Sequence, residues 1–401
     1  MAPRNALAAT TALLAACGAA DAPRILATVD TLPGGIVRTI ASTPADSGRW
    51  SLALEREVAP AEGEPGELSE PMSIALAEDG TLYVVDQKPN RINVFLPDGA
   101  LRGTIGGEGG GPGEFQAGFI AVRGDTLVLQ DPAQSRLTTW LGSTGEVLAI
   151  RPTACCYWSE LGIDGTGHAW VRMMTTPAAD SLPAATFLRI ALAGGDGDTV
   201  QVHRDPIARE RAEWVVADKQ MRFSMPVPFA PQPVETVDPT GGVLTAHGAT
   251  YVIRRSRDGR DTLALFGRVH QPLPISDDER RAEVEERVAT MVKNQMGKDE
   301  ATLRRAFDLD LVPRQRAAIE WLHVDGAGRT WVRQATGDTT TATFDLFDRE
   351  GQWLDQLHIV DPNWAKAAFR SVSFAGDRVA VLGETGDGLP VVRIYRLVRS
   401  K

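Results

Sequence analysis

Two stretches of the chain alternate apolar and polar positions and copy each other. Residues 74–106, IALAEDGTLYVVDQKPNRINVFLPDGALRGTIG, and residues 119–150, FIAVRGDTLVLQDPAQSRLTTWLGSTGEVLAI, each read as three or four short strands broken by Asp-Gly or Ser-Thr-Gly turns. Leu82 aligns with Leu127, Asp86 with Asp131, Arg91 with Arg136 and Phe95 with Trp140, every pair 45 residues apart. That is the period of a propeller blade, and a four-stranded sheet of this kind cannot bury both faces unless it stacks on neighbours. Looser copies follow: residues 160–173 and 321–334 match almost position for position, the second running on into TFDLFDREGQWLDQL, and residues 235–266 and 371–397 bring the count to six.

The pattern also predicts how the ring closes. Residues 53–68 copy residues 100–115, with Pro65 and Pro112 47 apart, so an outer strand around residues 54–58 precedes the first blade without inner strands of its own. The last copy stops after three strands at Leu397, and the orphan strand completes it, leaving no exposed sheet edge. The expected fold is therefore all-β, a six-bladed β-propeller over residues 35–401 closed by an N-terminal strand. The glycine run at residues 106–116, GGEGGGPGEFQ, has neither GxGxxG spacing nor a following Gly-Lys-Ser/Thr. It reads as the connector between blades, with glycines for turns of positive φ and Phe115 as a plug between sheets.

The β pattern breaks once, at residues 276–310 between blades four and five. Val284, Val288, Met291, Val292 and Gln295 fall at helical spacing, Ser276 and Glu279 make a capping box, and Gly297 marks the end. A second short helix is expected over residues 299–307. This helical insertion is either a lid or packing element laid over a propeller face or a helix that docks a partner.

Composition changes the picture mainly at the N-terminus. The 401 residues are 43% hydrophobic and 23% charged, as in an ordinary globular protein, and no apolar run approaches the roughly 20 residues of a membrane span. The chain starts MAPRNALAATTALLAACGAAD: Arg4, a short apolar stretch over residues 6–16, then Cys17 after Leu14-Ala15-Ala16. It ends at small residues as a cleaved export signal does, although an Ala-rich tail without that role is the alternative. The stretch resembles a bacterial lipoprotein signal with its lipobox. That resemblance implies that residues 1–16 are removed, that Cys17 becomes the lipid-modified first residue ahead of a linker over residues 17–34, and that Gly18 is compatible with sorting to an outer membrane. Formal net charge is −10, from 42 basic and 52 acidic residues, which argues against nucleic acid as a partner.

The motifs GGPGEF, DGTLYVVD, NRINVF and PDGALRGTIG resemble those of NHL-type six-bladed propellers. The whole chain is similar to bacterial lipoprotein propellers of that type, as are MPVPFAPQPVETVDPTGG at residues 225–242 and the helical insertion. What the resemblance implies is a fold and a cell-envelope location; it brings no known reaction.

Candidate chemistry is sparse. Cys155 and Cys156, in TACCYWSEL, form either a vicinal disulfide, two buried free thiols, or a redox or ligand-contact element. No CxxC and no His at ligand spacing supports a metal. Aligning the inner strands puts Ala75, Ala121, Gly162, Thr236, His323 and Ser373 in one column and Ile74, Ile120, Leu161, Glu235, Leu322 and Val372 in the next. His323 is alone in being large in the first, and Glu235 alone in being charged in the second. Residues that break their columns near a propeller axis are candidates for a ligand site, or else they satisfy each other by a local hydrogen bond. Asp86 and Asp131 recur once per blade and read as turn-stabilising groups, and His168 occupies the surface turn position that Arg329 has in another blade. The strand-start residues Phe119, Tyr157, Trp158, Trp321 and Arg370 would cluster at one mouth of the channel, to stack a sugar or peptide or to wedge the blades apart.

No nucleophile elbow, metal-spaced His cluster or phosphate loop appears, so no catalytic residue, metal or cofactor is assigned. The leading expectation is a non-catalytic, membrane-anchored, monomeric binding or scaffold propeller that holds an envelope protein, peptide or glycan at the channel mouth. The alternative is a metal-dependent hydrolase or lyase resembling six-bladed lactonases, which hold a metal on the axis with Glu, Asn and Asp from different blades. Glu235 would serve there, but the inner strands lack the asparagines.

Overall fold

Alternation over five or six residues between tight turns gives six blades of four antiparallel strands among the described residues, five of them separate sheets and the fourth blade being part of a six-stranded sheet. The computed structural model describes residues 27–153, 161–173, 184–194, 197–205, 207, 212–217, 222–294 and 300–400. From inner to outer strand, blade 1 is Pro71–Leu76, Leu82–Gln87, Asn90–Phe95 and Leu101–Ile105, and blade 2 is Phe119–Arg123, Thr126–Asp131, Arg136–Leu141 and Glu146–Pro152. Blade 3 is Leu161–Ile163, His168–Met173, Ala184–Ala191 and Asp198–His203, and blade 4 is Pro233–Val237, Val243–His247, Val252–Ser256 and Ala264–Arg268. Blade 5 is Trp321–Val324, Thr330–Arg333, Thr341–Phe347 and Trp353–Val360. Blade 6 takes its first three strands, Val372–Ala375, Arg378–Glu384 and Pro390–Arg399, from the C-terminus and its outer strand, Trp50–Val58, from the N-terminus. The protein is a six-bladed β-propeller closed as its repeat predicts.

All inner strands run the same way through the ring, which gives two unlike faces. The connector face carries the inter-blade connectors and the loops between second and third strands; the turn face carries the remaining turns. The 45-residue repeat now has a physical reason. The Asp86 carboxylate accepts the backbone N–H groups of Ser69 and Glu70 at 3.0 and 2.7 Å, and that of Asp131 accepts the N–H of Gln116 at 2.9 Å, so each acid clamps the connector leading into its own blade. Arg91 and Arg136 donate to carbonyls of the same connectors. Phe115 is fully buried as a plug between blades 1 and 2. Gly106, at φ 76°, must be glycine, because a Cβ there would stand 2.7 Å from the Phe115 ring.

The N-terminal arm differs from expectation. Part of the stretch assigned to a linker, Ala27–Leu32, is a strand paired with Ile36–Ala41, and the latter lies parallel to the outer strand of blade 4. The sequence ATVDTLPGGIVRTIA carried the signal: two alternating runs about a Pro-Gly-Gly turn, with Gly34 and Gly35 at φ 86° and 77°. The arm then crosses blade 5, where Ala45 and Asp46 donate to the Trp353 and Leu354 carbonyls at 2.9 and 2.8 Å, before becoming the outer strand of blade 6. One arm therefore ties three blades together.

The insertion comprises α1 (Asp277–Lys293), α2 (Glu300–Ala306) and a 3-10 turn at Leu309–Leu311. Ser276 Oγ caps α1 by accepting the Glu279 N–H at 3.1 Å, but the Glu279 side chain pairs with Arg316 instead of closing the box. The helix is capped at Asn294; Gln295 and Gly297 lie outside the described residues. Val284, Val288 and Met291 are buried, whereas Val292 is exposed. Their partner is a hairpin, Glu213–Ala217 with Arg222–Pro226, whose Trp214 stacks on Phe307 at 4.6 Å between ring centroids. The apolar face of the insertion is thus covered by a neighbour within the chain. No helix among the described residues is long and apolar enough to cross a membrane.

Candidate functional site

The inner strands surround an axial cavity of about 130 Å³. Five members of the predicted small column, Ala121, Gly162, Thr236, His323 and Ser373, line it. In blade 1 Ser73 lines it instead of Ala75, where a bulge between Pro71 and Ser73 shifts the strand register. The two serines lace neighbouring blades: Ser373 Oγ accepts the Leu76 N–H at 2.9 Å and Ser73 Oγ that of Ile120 at 3.2 Å.

His323 faces this cavity half-buried, stacked on Phe374 of blade 6 with ring centroids 4.2 Å apart. Burial pushes its imidazole down to about 4, so the ring is neutral at neutral pH. Glu235 is not among the lining residues. Ile74, Ile120, Leu161 and Val372 of its column border the cavity, but the Glu235 carboxylate turns into the seam between blades 3 and 4. There its carboxylate, 2% exposed, pairs with Arg204 and stands 3.6 Å from Arg172, both of blade 3. Glu235 and His323 therefore do not meet, and the local hydrogen bond weighed between them does not form. The carboxylate available to an axial metal in the lactonase-like reading is instead engaged by guanidinium groups, and no three His, Cys, Asp or Glu side chains come together among the described residues.

The low proton affinity of His323 predicts a pH dependence. The unfolded imidazole takes its proton near 6.5 and the folded one only near 4, so its contribution to stability is complete above 6.5 and is lost as pH falls toward 4. At about 1.36 kcal/mol per pH unit the loss is about 3 kcal/mol at most, because the ring borders a cavity that admits water. Burial lowers His247 and His270 in the same direction. Urea unfolding of His323→Phe, which keeps the stack on Phe374, should show a shallower fall of stability between pH 6.5 and 4 than wild type; an unchanged slope refutes the assignment.

The connector-face mouth of the channel opens more widely. Arg370, exposed on the 3-10 turn Phe369–Ser371, borders both the axial cavity and a cleft of about 850 Å³ between blades 1 and 6. The cleft is shared by Lys366, Glu70, Met72, Gln87 and Glu384. Lys366 ends α3 (Pro362–Lys366), a helix started by Asp361 and Pro362 and anchored by buried Trp364, and it also borders a groove of about 380 Å³ beside blade 5. Asn363 fixes this segment to blade 6, accepting the Glu384 N–H at 2.9 Å and donating to its carbonyl at 3.0 Å. In the groove, burial raises the carboxyl of Glu320 against the pull of Arg333, which lies 3.0 Å away.

Of the predicted mouth residues, Phe119 and Arg370 line the axial cavity, with Phe119 almost fully buried. Trp321 is instead half-buried in the blade 5 seam, edge-on to Phe344 at 5.2 Å. Tyr157, Trp158, Cys155, Cys156 and the lipidation candidate Cys17 lie outside the described residues. Lys366 was missed by sequence reasoning, although Asp361-Pro362 is a legible helix start.

No family model and no curated protein matches the chain. Among solved structures, a "Putative exported protein" of Bacteroides fragilis matches over 90% of this chain and 99% of its own, at 11% identity and a TM-score of 0.45. A member of the duf4221 family from Bacteroides vulgatus matches over 88% and 100%, at 9% identity and a TM-score of 0.46.

Proposed function

We propose that this protein is an exported, lipid-anchored, non-catalytic binding propeller that holds a protein or peptide segment at the connector face. One observation carries the reading. Arg370 and Lys366, exposed and joined to no acid among the described residues, stand at the junction of the axial cavity, the cleft and the groove. Such cations are suited to a carboxylate, and Glu384 across the cleft to a basic group. The cleft's volume is within the range of ordinary ligand sites. Its described lining offers Met72, Pro71, Pro390 and Leu382 but no aromatic platform, which favours a peptide over a sugar. Export and anchoring rest on residues 1–17.

The test is selection of displayed peptides on the soluble form beginning at Gly18, followed by fluorescence anisotropy with the selected peptide synthesised and labelled. Arg370→Glu should weaken binding at least tenfold, whereas Arg260→Glu, in a turn of the opposite face, should not change it. Peptides indifferent to Arg370→Glu, or no selectable peptide at all, would refute the reading.

A further inference from the structure

The direction of the first strand fixes where a membrane tether leaves the ring. Ala27 pairs with Ala41, and Ala41 with Arg268 at the connector-face end of blade 4's outer strand. The same level of blade 4 is marked by the pair Pro233 and His247. The strand Ala27–Leu32 then runs away toward the turn face. The chain therefore enters the propeller at the connector face, on the side from which the helical insertion also rises.

Cys17 lies ten residues before Ala27 (27 − 17). Ten residues reach at most about 33–36 Å when fully extended. The first strand, six residues long, covers about 20 Å of the rim. To present the turn face to the bilayer, those ten residues must run back along that rim, which takes up more than half of their greatest reach. With the connector face toward the bilayer none of that reach is spent on the rim.

A second observation is independent of the tether. Exposed aliphatic side chains gather on the connector side of blades 4 to 6 and the insertion: Val269, Leu273, Val292, Leu311, Leu389 at 57% and Val360 at 82% exposure. Toward the opposite face Leu263 in a turn and Val37 and Leu148 near the turn-face ends of their strands are exposed at 45%, 43% and 49%, so the most exposed aliphatics, Val360, Val269 and Leu389, all lie on the connector side among the described residues. That bias favours the connector face as the one that meets a surface.

We propose that the connector face is turned toward the bilayer that holds the anchor, and that its ligand is the extramembrane segment of a protein embedded in that same membrane. The proposal rests on the anchored binding-propeller reading and adds to it the orientation and the class of partner. Lipid headgroups fit the face less well. Arg281, Arg287 and Arg304 of the insertion are paired with Asp278, Glu283 and Glu285, so the cations without an acid partner on this face, such as Arg305, Arg370 and Lys366, fall short of the cluster of roughly four to eight that anionic lipid takes. Glu70 and Glu384 border the cleft, and the chain as a whole carries −10.

The acylated protein, reconstituted into vesicles of phosphatidylethanolamine and phosphatidylglycerol, would carry a fluorescent residue inserted by stop-codon suppression at Val360 or at Leu263. Energy transfer to a headgroup-labelled lipid is expected to be at least twice as efficient from position 360. Equal or inverted efficiencies overturn the orientation. If the wild-type protein fails to float with vesicles just as Cys17→Ala does, the anchoring reading falls and takes the orientation with it, while peptide binding by the soluble form is untouched. For the partner, a photoreactive residue at 389 in cells should crosslink to a membrane-integral polypeptide, in a manner abolished by Cys17→Ala and absent at position 263. Flotation of the soluble Gly18 form with bare vesicles would make lipid the occupant and overturn that clause.

Discussion

Deleting residues 27–58 from the mature protein should abolish the closed ring, whereas deleting residues 27–41 should only weaken it. The longer deletion removes the outer strand of blade 6, which is zipped to Pro390–Arg399 through eight residue pairs. It also removes Val58, which is buried against Val392 and Ile394 in the seam between blades 6 and 1. Burial of one such side chain contributes about 1.5–3 kcal/mol. Glu55 and Glu57, which pair with Arg378, Arg396 and Arg393, are lost as well. What remains is a ten-residue strand with an unpaired edge, a template for association between chains. The expected product is aggregated, or soluble without a cooperative thermal transition and active in binding a hydrophobic dye. The shorter deletion removes two strands laid outside a blade that already has four, so a cooperative transition at lower temperature is expected. Circular dichroism melts and light scattering read both results. A cooperative, monomeric product of the longer deletion would mean that closure does not rest on this strand.

The ring was legible because a blade is a local unit. The recurring Asp86/Asp131 and Arg91/Arg136 pairs act on connectors 15 to 26 residues from themselves, so period and chemistry appear together along the chain. Side-chain partners across seams are different in kind. Alternation shows that Glu235 and His323 fall in adjacent columns, but not that the first turns toward Arg204 of blade 3 while the second lies on Phe374 of blade 6. Trp321 reads as a mouth residue by its place at a strand start, yet the ring finds more contact against Phe344 in its own blade. The hairpin around Trp214 and the helices after blade 4 complete each other's core from opposite sides of a whole blade, and no local period announces such a pairing. The connector-face residues are legible only as types, because what makes Arg370 and Lys366 candidates is the absence of an acid beside them among the described residues, a property of the folded surface.

Asp345→Ala should be among the most damaging single substitutions, costing about 3–5 kcal/mol, in the range of a buried charge pair that loses one partner. Asp345 is fully buried in blade 5, yet its carboxylate accepts from Arg268 Nε at 2.7 Å, Gln334 Nε2 at 2.8 Å, Gln356 Nε2 at 3.1 Å and the Tyr251 hydroxyl. Arg268 is held between the rings of Tyr251 and Trp353, 4.5 and 5.0 Å from their centroids, and burial with the adjacent carboxylate keeps the Tyr251 hydroxyl protonated far above neutral pH. Removing the carboxylate leaves a guanidinium and three other donors without that acceptor in a largely buried seam. Asp345→Asn, which keeps an oxygen but not the charge, should cost less. Asp345→Leu combined with Arg268→Met should recover much of the loss, because the expense lies in the uncompensated charge and not in the lost attraction. With an unfolding entropy of about 2.1 cal/mol/K per residue, the single variant should melt about 4–6 °C lower. A drop below 1 °C, or no recovery in the double variant, would show that the seam is hydrated or that the network carries no net energy. Gln334 also opens the loop that walls the groove beside Lys366, so the same hub links the core of the seam to the connector face. Peptide binding should therefore weaken in Asp345→Asn even at temperatures where the ring remains folded, whereas Arg260→Glu, far from that loop, should leave both readouts unchanged.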